Sequence, residues 1–494
     1  MFARIIAWLK GIMARMLNAG DTASLTAGVP LAISNDMANA IQRWREEYAG
    51  RAYWLKHNTQ SLSLPALISA EMATLVTLEA KITISGSPRA DWLMQQFQPV
   101  IERLHTNVEY ACALGGLVMK PYFDGNGISV DYIQADDFYP VAFNSKGDIT
   151  SAIFVERKRI AQTIYSRVEH HTITTEKGQD GAERVKYVIT NQCYRGYSED
   201  DIGTEVQLTE VPEWRELQPV VNVENVPFPL FAYFKIPLGN FIDPKSPLGV
   251  SVFAKAENNI KEADKQYQRL LWEYEGGELA IDASSDAFET DKNGMAILPV
   301  GKERLFRVNA FDEKTGVKDL LFSTFSPKLR DESYRDGLNA ILQRIEDQCG
   351  LARGTISHRA DVQTQTATEI KMLRQRTYAT VTSIQTALEK ALHALLDAMD
   401  ATATLYNIVP AGKVTLSCVW DDSIVTDADT ERVRDMQEIR DGIMKKWEYR
   451  VKWYGEDEQT AKQMTEADQP DDDTIMGFVT TAQRNNGETG GQQQ

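Results

Sequence analysis

Apolar residues recur along this chain with two different periods, and the change of period marks a change of architecture. Between Asn35 and Leu55, Met37, Ile41, Trp44, Tyr48 and Trp54 fall at helical spacing, with Gly50 as a break. Ala66 to Glu79 is a second apolar-rich helix, so residues 1–110 read mainly as helices. From Gly115 to Val226 the pattern alternates and becomes β-branched, as in Gly127 to Ile133, Ala152 to Val155 and Arg184 to Thr190. Turn signals at Asp124-Gly-Asn-Gly127 and Ser145-Lys-Gly-Asp148 separate these strands, which gives an α+β domain.

After Pro247-Leu-Gly249 the helical period returns. Phe253, Ala256, Ile260, Ala263, Tyr267, Leu270 and Tyr274 form a heptad-like seam that stops at Gly276-Gly277. Short strands are expected at Leu279 to Ile281, Met295 to Leu298 and Arg304 to Val308, forming a small β-rich insert. Ser326-Pro327 reads as a helix restart, with Ser as N-cap and Pro in the first position. Tyr334, Leu338, Ile341, Ile345 and Cys349 continue that helix, so two helices leave the body and return to it with a small module at their tip.

Gly350 to Thr364 is polar, with two glycines and no large apolar anchor, and reads as a loop, either ordered or mobile. Thr366 to Glu369 matches a capping box, opening a helix that runs to about Leu405. A strand follows at Lys413 to Trp420, then a charged helical segment over Asp427 to Glu466. The Gly/Gln-rich end, Gln469 to Gln494, has the composition of a disordered tail.

The 494 residues are 43% hydrophobic and carry 53 Lys plus Arg against 70 Asp plus Glu, a formal charge of −17. So acidic a chain is a poor candidate for coating DNA, because non-specific binding works by neutralising phosphates. Cys112, Cys193, Cys349 and Cys418 are far apart, with neither a zinc spacing nor a disulfide framework. The apolar start, Phe2 to Leu17, is interrupted by Arg4, Lys10 and Arg15 and reads as an amphipathic helix. No membrane association is expected.

The phosphate-cradling, dinucleotide, zinc-protease and serine-hydrolase signatures are all missing, so an enzyme is not expected, and neither is a cofactor or a metal. The cluster Asp421, Asp422, Asp427 and Asp429 lacks the glycine and terminal glutamate of a calcium loop and reads as a solvated turn. His170-His171 reads as exposed surface.

Several strings, in order, resemble the portal proteins of tailed double-stranded-DNA bacteriophages, of the siphophage type. They are Ile41-Gln-Arg-Trp-Arg-Glu-Glu-Tyr-Ala-Gly50 with Tyr53-Trp-Leu55, Gly115-Gly-Leu-Val-Met-Lys-Pro-Tyr122, Ile133-Gln-Ala-Asp-Asp-Phe-Tyr-Pro140, Phe234-Lys-Ile-Pro-Leu-Gly-Asn240, Ser246-Pro-Leu-Gly-Val-Ser251, and Gly350-Leu-Ala-Arg-Gly-Thr355 before Thr366-Ala-Thr-Glu369. The resemblance implies a ring-forming portal fold: wing over 1–250, stem helices at 251–275 and 327–349, clip at 276–326 and tunnel loop at 350–365. The long wing helix and its strand would span 366–425, the crown 426–468 and the tail 469–494.

What the resemblance implies for function is a dodecameric ring at one capsid vertex, assembled in the host cytoplasm and carried in the virion. Double-stranded DNA would pass through it during packaging and ejection. Its partners would be further copies of itself, the terminase large subunit, head–tail connector proteins, and major capsid and scaffold proteins. Arg353, Thr355, His358, Arg359 and Gln363 would face DNA, and the clip residues Asp286, Glu289, Asp291, Lys292, Lys302 and Arg304 would dock terminase and connector. Two other readings stay open on sequence: a metal-dependent nuclease or other phage-head enzyme using Asp421 to Asp429, and a different ring-forming adaptor.

Overall fold

A computed structural model of the chain describes residues 32–55, 60–177, 183–197, 203–284, 288, 289, 292, 297, 298, 305–309, 322–358, 367–420 and 428–467. The chain divides into two compact units, Met1–Trp420 and Asp421–Gln494. The expected amphipathic helix at Phe2 to Leu17 and the tail at Gln469 to Gln494 lie outside the described residues.

The first unit opens with α1 (Asn35–Tyr48), α2 (Leu64–Thr77), β1 (Ala80–Ser85), α3 (Pro88–Glu102) and α4 (Leu104–Leu114). Ser34 and Ser87 cap α1 and α3 by accepting from Met37 N and Ala90 N. The strands β2 (Gly116–Phe123), β3 (Ile128–Gln134), β4 (Phe138–Phe143), β5 (Ile149–Ile160), β6 (Thr163–Lys177), β7 (Glu183–Gly196), β8 (Thr204–Val206), β9 (Val220–Glu224) and β10 (Ala232–Lys235) follow. They form two sheets: β10-β2-β3, and β4-β5-β6-β7-β8 with β9 also paired to β7.

Next come α5 (Glu257–Gly276), β11 (Ala280–Ser284), β12 (Phe306–Asn309), β13 (Phe322–Phe325), α6 (Asp331–Cys349), α7 (Ala367–Leu405) and β14 (Thr415–Trp420). β14 pairs antiparallel with β1, from Ala80 opposite Trp420 to Ser85 opposite Thr415. At 1.5 Å per residue α7 is about 58 Å long. Its Ile384, Leu388, Leu392 and Leu395 are buried in the same core as Trp44, Met72, Phe97, Val118 and Phe138, which joins the helical and β parts of the unit. The second unit contains α8 (Ala428–Arg440), α9 (Lys446–Tyr454) and α10 (Glu458–Ala467). There the buried Asp435 accepts from Lys452 Nζ at 2.7 Å and Trp453 Nε1 at 2.8 Å.

α5 and α6 lie side by side and antiparallel. Asn259 near the start of α5 bonds Gln348 near the end of α6 (2.7 Å), and Glu273 near the end of α5 accepts from Arg330 just before α6. The apolar seam of α5 is buried at Phe253, Ala256, Ile260, Ala263 and Leu270, while Tyr274 is exposed. Beyond this pair β11 runs parallel to β12 and antiparallel to β13.

Four expectations are corrected. The returning helix starts at Asp331, not at Ser326-Pro327, because the Arg330 backbone and guanidinium are both engaged by Glu273 and hold residues 326–330 out of the helix. Ile297 and Leu298 are not in a strand, and Met295 and Ala296 lie outside the described residues; the strands that flank β11 are Phe306–Asn309 and Phe322–Phe325. The N-terminal region also contains β1, whose partner is more than 300 residues away.

His171 is buried and His170 half-buried, so neither is exposed. On β6, Arg167, Glu169 and His171 alternate onto one face, where Glu169 meets Lys120 Nζ at 2.7 Å, Arg167 at 3.0 Å and His171 Nε2 at 2.6 Å. With Nε2–H donating to Glu169, Nδ1 accepts from the Tyr187 hydroxyl at 2.8 Å, and that hydroxyl oxygen accepts from Leu230 N at 3.1 Å. Every member of the network is satisfied with His171 neutral, consistent with burial lowering its pKa.

Candidate functional site

The loop that follows α6 is built by the helix it leaves. Gly350 ends α6 at φ +76°, and a Cβ there would sit 2.5 Å from Thr380 Oγ1 of α7, so both the turn and the close approach require glycine. The chain then folds back over the last turn of α6, where the fully buried Glu346 carboxylate receives it. Glu346 accepts from Gly354 N (3.0 Å), Ile356 N (2.6 Å), Ser357 N (2.9 Å) and Ser357 Oγ (2.7 Å).

Asn339 holds His358 from both sides, accepting from its N–H at 2.7 Å and donating to its carbonyl at 3.0 Å. Leu351 is buried in the core and Ile356 packs against it. Over residues 350–358 the expectation of a loop without apolar anchors is therefore corrected: carboxylate, amide and leucine fix it to α6 and the core.

Of the expected DNA-facing residues, Arg353, Thr355 and His358 share this loop and are exposed, and Arg359 and Gln363 lie outside the described residues. The Thr355 hydroxyl donates to Ala352 O within its own turn. Of the expected docking residues, Glu289 and Lys292 are exposed, while Asp286, Asp291, Lys302 and Arg304 lie outside the described residues. So do the side chains of Asp421, Asp422, Asp427 and Asp429; among the described residues no three His, Cys, Asp or Glu side chains group as metal ligands.

Beside the loop is a recess of about 560 Å³, whose lining includes Lys255, Arg344, Arg353, Arg376 and Asp347. Arg353 grips the Asp347 carboxylate with two bonds, at 2.8 and 3.2 Å. Arg376 approaches the same carboxylate at 3.5 Å and also donates to the Asp347 backbone carbonyl. The Arg353 guanidinium, with Arg376 and Arg344 nearby, holds the Asp347 carboxyl below its usual range. Lys255, Arg344 and Arg376 went unrecognised in the sequence because each is one charge on a separate element, and only the α5–α6–α7 packing brings them together.

A third feature explains three of the sequence strings. Gly115 ends α4 at φ +88°, and a Cβ on it would lie 2.5 Å from Gly249 O; one on Gly249 would lie 2.1 Å from Gly115 O. Ile236 N donates to Gly115 O, Val252 N to Cys112 O and Gly249 N to Tyr233 Oη. The Gly115-Gly116, Phe234-Lys-Ile-Pro and Pro247-Leu-Gly249 strings are thus one backbone-to-backbone junction that joins the strands to the start of α5.

Solved structures similar to this chain include a chain of the neck of the native GTA particle computed with C12 symmetry, at 11% identity and TM-score 0.40, covering 89% of this chain and 98% of that one. Another is a chain of the neck of the empty GTA particle computed with C6 symmetry, at 11% identity and TM-score 0.39, covering 86% and 95%. No curated protein matches the chain. No helix among the described residues is long and apolar enough to cross a membrane. The family model for the phage portal protein, SPP1 Gp6-like, matches residues 76–473 of the 494, which takes in every string of the resemblance from Gly115 onward. By that match the chain belongs to the SPP1 Gp6-like phage portal protein family.

Proposed function

We propose that this chain closes into a ring, dodecameric in the capsid, at one vertex of a phage head. There it conducts double-stranded DNA inward during packaging and outward during ejection. The family is a structural, non-enzymatic one of virion proteins. In this reading residues 1–250 and 366–425 form the wing, the α5–α6 pair the stem, residues 276–326 the clip, residues 350–365 the tunnel loop and residues 426–468 the crown. The clip docks the terminase large subunit during packaging and head–tail connector proteins afterwards; the outer body meets capsid and scaffold proteins.

The observation that carries the conduit reading is local sign inversion. In a chain of charge −17, the described residues that line the recess beside the loop at 350–358 include four cations and one carboxylate. A conduit needs few, weak phosphate contacts on an otherwise repelling surface, so that DNA is held in register but slides.

The test is a deletion of residues 276–326 closed by a short Gly/Ser linker, assayed for co-purification with the terminase large subunit and for particle mass. The expected result is a ring of undiminished subunit number that no longer retains terminase. Terminase retention by the deletion variant contradicts the clip assignment.

A further inference from the structure

We propose that the apolar cavity of the second unit is the docking site for residues 471–479 of the same chain, an acidic-then-apolar segment that follows α10. The inference is independent of the conduit reading, because every residue it uses lies within Asp421–Gln494.

The cavity has a volume of about 340 Å³ and takes lining residues from all three helices of the unit. Met436 and Ile439 of α8 and Tyr449 and Tyr454 of α9 supply apolar surface, Arg440 and Lys446 add two exposed cations, and α10 contributes Thr465. Met436 is 50% exposed and Tyr454 61%. Two large side chains left this open beside a cavity hold apolar surface that docking would remove from water, and methionine, tyrosine and arginine are the residue types enriched where proteins meet a partner.

The sequence beyond α10 has the complementary pattern. After Ala467 the large apolar residues, Ile475, Met476, Phe478 and Val479, all fall within five positions, and Asp471-Asp-Asp473 stands just before them. A tail that only had to be solvated gains nothing from that cluster. In the docked arrangement the aspartates meet Arg440 and Lys446, while Ile475 and Phe478 enter among Met436, Ile439 and the two tyrosines. The reach is sufficient. α10 ends at Ala467, two residues past Thr465 in the cavity lining, and the eight residues from there to Ile475 span up to about 26–29 Å, more than the roughly 20 Å of α8, the longest helix of the unit. A short tether also holds the segment at an effective concentration of about the millimolar range, so modest contacts suffice to seat it.

The test is hydrogen exchange by mass spectrometry on the full-length wild type, M436E, F478D and the triple variant D471N/D472N/D473N. In the wild type the amides of 475–479 should exchange at least about tenfold more slowly than those of 485–494, and M436E should abolish that difference while α9 keeps its wild-type protection. F478D should speed exchange across 436–440 and 446–450; because its substitution lies outside the three helices, it decides the matter alone if M436E unfolds the unit. The triple variant should exchange faster than wild type at 475–479 in low salt and equally in high salt. Oxidising M436C/F478C, with each single variant as control for the native cysteines, should give a cross-linked monomer on denaturing gels. Four results overturn the proposal: wild-type 475–479 exchanging as fast as 485–494, protection that survives M436E with α9 intact, an F478D variant with unchanged exchange at both cavity-lining stretches, or an interchain ladder in the oxidised double-cysteine variant, which would assign the cavity to the segment of a neighbouring copy.

Discussion

Glu346 is the residue on which the loop's geometry rests, and removing its carboxylate has a calculable cost. In Glu346→Ala the N–H groups of Ile356 and Ser357 and the Ser357 hydroxyl lose their acceptor beside the buried end of α6, while the Gly354 N–H keeps Ser357 Oγ at 3.0 Å. A buried donor left unpaired costs about 1–3 kcal/mol, and the total is capped by the free energy of detaching the loop, so a loss of about 3–5 kcal/mol is expected. Glu346→Gln retains one oxygen for the three N–H groups and can donate its amide to Ser357 Oγ, giving up only the charge, for about 1–2 kcal/mol. Hydrogen exchange at Gly354, Ile356 and Ser357 reads this directly. Protection should fall by about 100-fold or more in the alanine variant and about tenfold in the glutamine variant. Wild-type protection in Glu346→Ala would refute the assignment of the carboxylate as the loop's anchor.

Three other outcomes are expected. Burial, with Glu257 beside it, pushes the Glu47 carboxyl up to about 9 from an ordinary 4.5, so its contribution to stability is full below pH 4.5 and is lost as pH rises toward 9. Glu47→Gln should therefore gain stability over wild type progressively across that window, by about 1–3 kcal/mol at pH 8 in urea melts; parallel pH profiles would contradict this. Arg89, almost wholly buried, donates to Val409 O at 2.7 Å and Thr404 Oγ1 at 2.6 Å while pairing with Asp400, so it locks the end of α7. Arg89→Ala should cost about 3–5 kcal/mol in thermal melts and Arg89→Lys should recover only part of it, whereas a loss under about 1 kcal/mol would show that α7 is held elsewhere. Arg353→Ala with Arg359→Ala should leave ring assembly intact and reduce DNA retention in a salt-dependent way; failure of the ring to assemble would reassign these side chains to subunit packing.

The parts of the fold legible in the sequence are those whose apolar period is local. α5 is readable because Phe253 through Leu270 repeat on one face, and α7 because its buried leucines and isoleucine do the same. β1 is hidden because only Ile82 and Ile84 of its six residues turn inward, and the partner that makes it a strand lies beyond residue 414. His171 misleads for a different reason. Charged residues on a strand usually mark the wet face, but here Lys120 and Arg167 are balanced by Glu169 and Glu156, and that balance depends on β2 crossing near β6. At the candidate site, Gly350 and Arg353 are visible as motif residues. Glu346, Asn339, Arg344 and Arg376 are not, because a buried carboxylate receiving a loop looks in sequence like any polar position on a helix.

The central claim is the ring, and native mass spectrometry of the full chain tests it most directly. A closed ring of twelve 55.5-kDa chains gives a single species of about 670 kDa, with electron-microscope views along the axis showing one central channel. A monomer at 55.5 kDa across the concentration range, or a small dimeric or tetrameric species, would contradict the account.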